Sequence, residues 1–145
     1  MTDLTLAAAQ TLVAAALGLA RERGLKPLAV AVFDARGALK CLCAEDGTSL
    51  RRAELARGKA NGALALGLGS RALAKRAEEQ PTFLAAVSHL VGPDALVPVP
   101  GGVLIRGGDG DVIGAVGISG DTSDNDEACA VAGIAAAGFT ADTGA

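Results

Sequence analysis

The chain has 145 residues, half of them hydrophobic, yet only three are aromatic and all three are phenylalanine. That length makes one domain, residues 1–145, with a core built from Ala, Val and Leu and elements packed closely over small side chains. A net charge of −3, with no Lys/Arg stripe interleaved with aromatics, argues against nucleic acid as a partner. Three cysteines, two of them only two positions apart, make no disulfide framework. Met1–Asp3 carries no positive leader, and the Ala/Leu-rich run to Ala20 holds Gln10 before meeting Arg21-Glu22-Arg23. Neither a signal peptide nor a membrane span is expected, and a reduced, cytoplasmic setting is the simplest reading.

Leu6, Ala9, Val13, Leu17 and Ala20 follow a 3.6-residue period and predict a helix over Thr2–Gly24, closed by Gly24 and Pro27. Leu28–Phe33 is apolar on both faces and predicts a strand covered on both sides. The turn residues Asp34–Gly37 join it to a second strand, Ala38–Cys43, as a hairpin. Ser49 is placed to cap a long helix reaching Gly67. Gly58 and Gly62, four apart on that helix, cost about 1 kcal/mol each relative to Ala, which points to a neighbour packed on bare backbone. Ser70 is expected to cap a shorter helix, and Pro81 opens another that ends near Gly92-Pro93.

Pro98 and Pro100 make Leu96–Pro100 an edge strand or an extended segment. Gly102–Arg106 and Val112–Ser119 predict a second hairpin around Gly107–Gly110. Ser123 is expected to cap the last helix, with Asp124 and Asp126 favoured there by the helix dipole. The predicted order is α-β-β-α-α-α-β-β-β-α, an α+β fold with about five antiparallel strands flanked by long helices.

Five stretches taken in this order resemble the GlcG/HbpS family, the "haem-degrading" domain also found as the C-terminal domain of PduO-type proteins. They are AVAVFDARGAL (29–39), ARGKANGAL (56–64), PGGV (100–103), GGDGDVIGAVGISGD (107–121) and DNDEACAVAG (124–133). The resemblance implies a profilin-like sandwich, assembly into homo-oligomers, often octamers, and in some members a link to haem or a corrinoid. Where the family usually has Lys-Ala-x-Thr-Ala, this chain has Lys59-Ala60-Asn61-Gly62-Ala63. That change places glycine where a hydroxyl stands beside the family's presumed pocket, so the ligand can differ.

Lys59 lies beside the apolar stripe of its helix with no acid three or four residues away. It is a candidate to neutralise a carboxylate or haem propionate, with Asn61, Gly101, Gly102, Ser119 and Gly120 supplying hydrogen bonds. Its plain alternative is a solvated surface lysine. His89, the only histidine, reads as a helix-surface residue, with axial ligation as the alternative. Cys41 and Cys43 share one strand face and can meet soft metal or haem iron, although core packing also accounts for them.

No nucleophile–histidine set, phosphate loop or metalloprotease motif is present. The leading expectation is a homo-oligomeric accessory protein binding haem, another tetrapyrrole or a small anionic metabolite. Its pocket is expected between the Ser49–Gly67 helix and the Gly101-Gly102 and Gly114–Asp121 turns. The competing expectation is a lyase, isomerase or hydrolase that transfers protons through Lys59 with Asp121 or Glu127.

Overall fold

A computed structural model describes residues 3–145; the expected start of the first helix at Thr2 lies outside them. The elements are α1 (Leu6–Glu22), β1 (Ala29–Asp34), β2 (Leu39–Ala44), α2 (Arg52–Leu66), α3 (Ser70–Glu79), α4 (Pro81–Val91), β3 (Gly102–Arg106), β4 (Val112–Ser119), α5 (Ser123–Ala136) and β5 (Thr140–Asp142). Their strands form one antiparallel sheet in the order β2-β1-β4-β3-β5. The α+β class and the five antiparallel strands are as the sequence predicts. One strand is not. Leu96–Pro100 joins no strand and bends at Val99–Pro100, and the fifth strand is Thr140–Asp142, so the order closes β-β-α-β.

The reason lies on α2. Val97 and Leu96 lie across Gly58 and Gly62, where an added Cβ would come within 2.5 Å and 2.4 Å of their side chains. The Val97 amide donates to the Gly58 carbonyl at 3.1 Å. The segment thus spends its backbone on the helix rather than on the sheet, which is the bare-backbone contact that the two glycines imply.

Alternation along the strands divides the core into two layers. Val30, Val32, Val103, Ile105, Val116 and Ile118 face α1 and α5, packing with Leu12, Ala16, Cys129 and Ile134. Each fully buried Val, Leu or Ile there contributes about 1.5–3 kcal/mol. Ala29, Ala31, Phe33, Leu104 and Ala115 face the opposite way, against Ala56, Ala60 and Ala63 of α2. That second layer has almost no large side chains, so α2 lies very close to the strands. At Gly117 an added Cβ would stand 1.9 Å from the Ala56 carbonyl oxygen, and at Gly102 it would stand 2.3 Å from that of Lys59. Small residues on both sides bring α2 down almost onto the sheet.

The caps differ from expectation in instructive ways. Thr5 and Thr122 cap α1 and α5, their hydroxyls accepting from Ala8 and Asn125 amides. Ser49 and Ser70 do not cap. Ser49 Oγ accepts from Arg52 Nε, and buried Ser70 Oγ accepts from the Gly102 amide at 2.7 Å, tying α3 to β3. Gly67 ends α2 in the left-handed conformation, φ 69°, as its position predicts. Among the described residues, no helix is long and apolar enough to cross a membrane.

Candidate functional site

The glycine-rich end of β4 and the middle of α2 meet at Lys59. Its side chain is only 3 % exposed. The ammonium donates to the Ile118 carbonyl at 2.8 Å and to Asp126 Oδ2 at 3.2 Å. Gly101 permits this: an added Cβ there would lie 2.8 Å from Lys59 Nζ. Gly101 also has φ +124°, and its carbonyl accepts from the Ile118 amide. Burial holds the Lys59 pKa below its ordinary value, against the opposing pull of the Asp126 carboxylate. Neither the solvated surface lysine nor a lysine open to a ligand describes this geometry.

Asp126 is equally buried and shared. Its Oδ1 accepts from the Asp121 amide at 2.9 Å, while Oδ2 holds Lys59. The sequence assigns Asp126 to the start of a helix; in the structure it joins that start to α2. Asp121 in turn accepts from the Lys26 amide, the Thr122 amide and Asn125 Nδ2, at 2.7–2.9 Å. These bonds, the Asn125 amide first, lower its pKa from 3.8 to about 2.

Asp121 is therefore expected to stabilise the fold fully above pH 3.8, with the contribution falling away as pH drops toward 2. Asp121→Asn should flatten the acid limb of a stability-versus-pH curve measured by urea unfolding. An unchanged acid limb would remove this role.

The remaining candidates fall in five places. Ser119 Oγ accepts from Arg52 Nη1 at 3.1 Å, and Gly120 follows it at the edge of a cleft of about 200 Å³. Lys26, Pro27, Gly47, Thr48, Ser49 and Arg52 complete that cleft. Asn61 points away, its amide donating to the Ala95 carbonyl at 2.8 Å and bordering a separate cleft of about 390 Å³ with Phe33, Arg57 and Asp94. Glu127 is bound through both oxygens to Arg71 Nε, at 3.2 Å and 2.9 Å. His89 is exposed in the last turn of α4. Cys41 and Cys43 are partly buried on β2, at the far edge of the sheet.

Lys59, Gly101, Gly102, Ser119, Gly120 and Asp121 thus gather at one end of the α2–sheet contact, while Asn61, Glu127, His89 and the cysteine pair lie elsewhere. The space expected between α2 and the glycine turns is filled by backbone, and the opening lies beside it, at Arg52 and Gly120. Arg52, Lys26 and Asp126 escape a reading by motif. Only the burial of Lys59 could have been anticipated, from the small residues around it. Among the described residues, no cluster of three or more His, Cys, Asp or Glu is arranged to hold a metal ion.

Comparison with known proteins decides the family. The family described as haem-degrading protein HbpS-like matches residues 4–135. The chain belongs to that family. HbpS itself shares 30 % identity over 93 % of this chain and 90 % of its own, with a TM-score of 0.79. The HbpS-like fold is also found in a PduOC–haem complex, 28 % identical over 95 % of this chain and 97 % of that one, TM-score 0.84. Klebsiella pneumoniae protein ORFY is 26 % identical over 95 % and 93 %, TM-score 0.83. A comparison with curated proteins finds no match.

Proposed function

We propose that this HbpS-like chain is a single-domain, homo-oligomeric, cytoplasmic accessory protein that binds haem, another tetrapyrrole or a small anionic metabolite. The observation that carries the reading is the PduOC relative, which forms a haem complex and matches this chain along almost its whole length. An octamer is the expected assembly.

The geometry supports an anionic group in the cleft at Gly120. Arg52 and Lys26 bring two cations to its rim, and exposed Gly47 leaves backbone accessible there, while Gly120 is buried against Pro27 and Leu28 at its floor. Ser119 is held by Arg52, while Lys59, Gly101 and Gly102 fix the backbone just before it. Asn61 serves the neighbouring cleft. At about 200 Å³ the Gly120 cleft fits a carboxylate-bearing end and not a whole macrocycle, and it holds no iron ligand.

The enzyme reading draws no support from these contacts. Lys59 is closed in by Asp126, Glu127 by Arg71, and Asp121 titrates too low to exchange protons near neutrality.

Titration with hemin followed in the Soret region, with native mass spectrometry of the same sample, tests the proposal. A shifted band and a haem retained on a multiple of the subunit mass are expected. A clean monomer that carries nothing and leaves the hemin spectrum unchanged would overturn it.

A further inference from the structure

Arg57 and Asn61 stand one turn apart on α2, on the same side of the helix, and both border a cleft of about 390 Å³. Phe33, from the end of β1, and Pro93 add apolar surface to it, and Asp94 and Ala95 close it from the segment after α4. Three parts of the chain distant in sequence therefore meet around one opening, in the size range of small-molecule sites.

The segment that carries Asp94 is fastened to α2. Asn61 Nδ2 donates to the Ala95 carbonyl at 2.8 Å, the Val97 amide donates to the Gly58 carbonyl at 3.1 Å, and Leu96 lies across Gly62. Asp94 has φ +60°, and among the described residues it is the one non-glycine with positive φ. Aspartate tolerates that region better than most residues do. The bond to Ala95 also orients the Asn61 amide: Nδ2 is spent, so Oδ1 remains as an acceptor.

The cleft holds one charge of each sign, and neither is spent. Glu54, one turn before Arg57, is taken by Arg51 at 2.8 Å. Among the described residues no ion pair or side-chain hydrogen bond engages Arg57 or Asp94, and the two do not pair with each other although they border the same space. Arg51 borders a second cleft with Asp94, but its guanidinium is held by Glu54. A guanidinium offers parallel N–H groups to a carboxylate, and a carboxylate beside an amide oxygen accepts an ammonium. Each exposed charge alone holds a partner weakly. A ligand gains most by meeting both at once.

We propose that this cleft binds a free α-amino acid as its zwitterion. The α-carboxylate lies on Arg57, the α-ammonium lies between Asp94 and Asn61 Oδ1, and a small apolar side chain rests against Phe33 and Pro93. The site is separate from the Gly120 cleft, so it stands or falls independently of the haem reading.

The test titrates ¹⁵N-labelled full-length protein at pH 7 with L-valine, with N-acetyl-L-valine, which lacks the ammonium, and with L-valinamide, which lacks the carboxylate. L-valine should move the amide signals of Arg57, Asn61 and Asp94 to saturation, and both analogues should bind at least tenfold more weakly. Arg57→Gln and Asp94→Asn change exposed groups, and asparagine also tolerates positive φ, so both variants should keep the wild-type melting temperature. In Arg57→Gln, L-valine should lose its advantage over L-valinamide; in Asp94→Asn, it should lose its advantage over N-acetyl-L-valine. Equal binding of the three probes to wild type, or no movement of these signals with L-valine, would overturn the proposal.

Discussion

Lys59→Met is expected to destabilise the protein by about 3–5 kcal/mol, because it strands the Asp126 carboxylate in a site that excludes water. Asp126 would keep one partner, the Asp121 amide, but lose the cation opposite its second oxygen. Asp126→Leu should fall at the lower end of the same range. There the orphaned ammonium can shed its proton, since burial already holds the Lys59 pKa down. The double variant K59M/D126L should recover much of the loss, as two apolar groups of similar volume need no charge partner. Urea unfolding of the three variants checks this. Single-variant losses below 1 kcal/mol would mean that water reaches the pair and that it acts as an ordinary surface ion pair.

A second large effect is expected at Gly117. A methyl group there would stand 1.9 Å from the Ala56 carbonyl oxygen and 2.8 Å from the Ala60 nitrogen, both backbone atoms of α2. No rotamer change can relieve such a contact; the whole helix must lift from the sheet. Lifting it would open the layer of Ala29, Ala31, Ala60 and Ala115, and would pull Lys59 away from Ile118 and Asp126. Gly117→Ala is therefore expected to cost more than about 4 kcal/mol, beyond the ordinary range for a single substitution. Gly108→Ala, on the open β3–β4 turn where nothing lies within 4 Å, should change stability by less than about 0.5 kcal/mol. Thermal unfolding of both variants gives the comparison. A well-folded Gly117→Ala with a wild-type melting temperature would show that α2 does not lie so close.

These contacts explain what could be read in the sequence. The hairpin Gly102–Arg106 with Val112–Ser119 shows itself because alternation and turn glycines are local signals, and both strands have the predicted bounds. The bare-backbone role of Gly58 and Gly62 is also legible, since glycine inside a helix carries a cost that needs a reason. The occupant of that space was not, because Leu96 and Val97 lie more than thirty positions away. The fifth strand, at Thr140–Asp142, is three residues long and has no period to detect. At the site, the unusual character of Lys59 could be seen in the sequence, but its partner could not. Asp126 is separated from it by 67 residues and sits among acids that a helix start accounts for equally well.

The buried ammonium also sets an order of events for the newborn chain. Both of its acceptors, the Ile118 carbonyl and the Asp126 carboxylate, follow it by more than fifty residues. Helix α2 therefore leaves the ribosome with a cation on the face it must bury and nothing yet made that can neutralise it. The ion pair is complete only once the start of α5 has emerged, so the last partner of this cation comes from the C-terminal side of the chain.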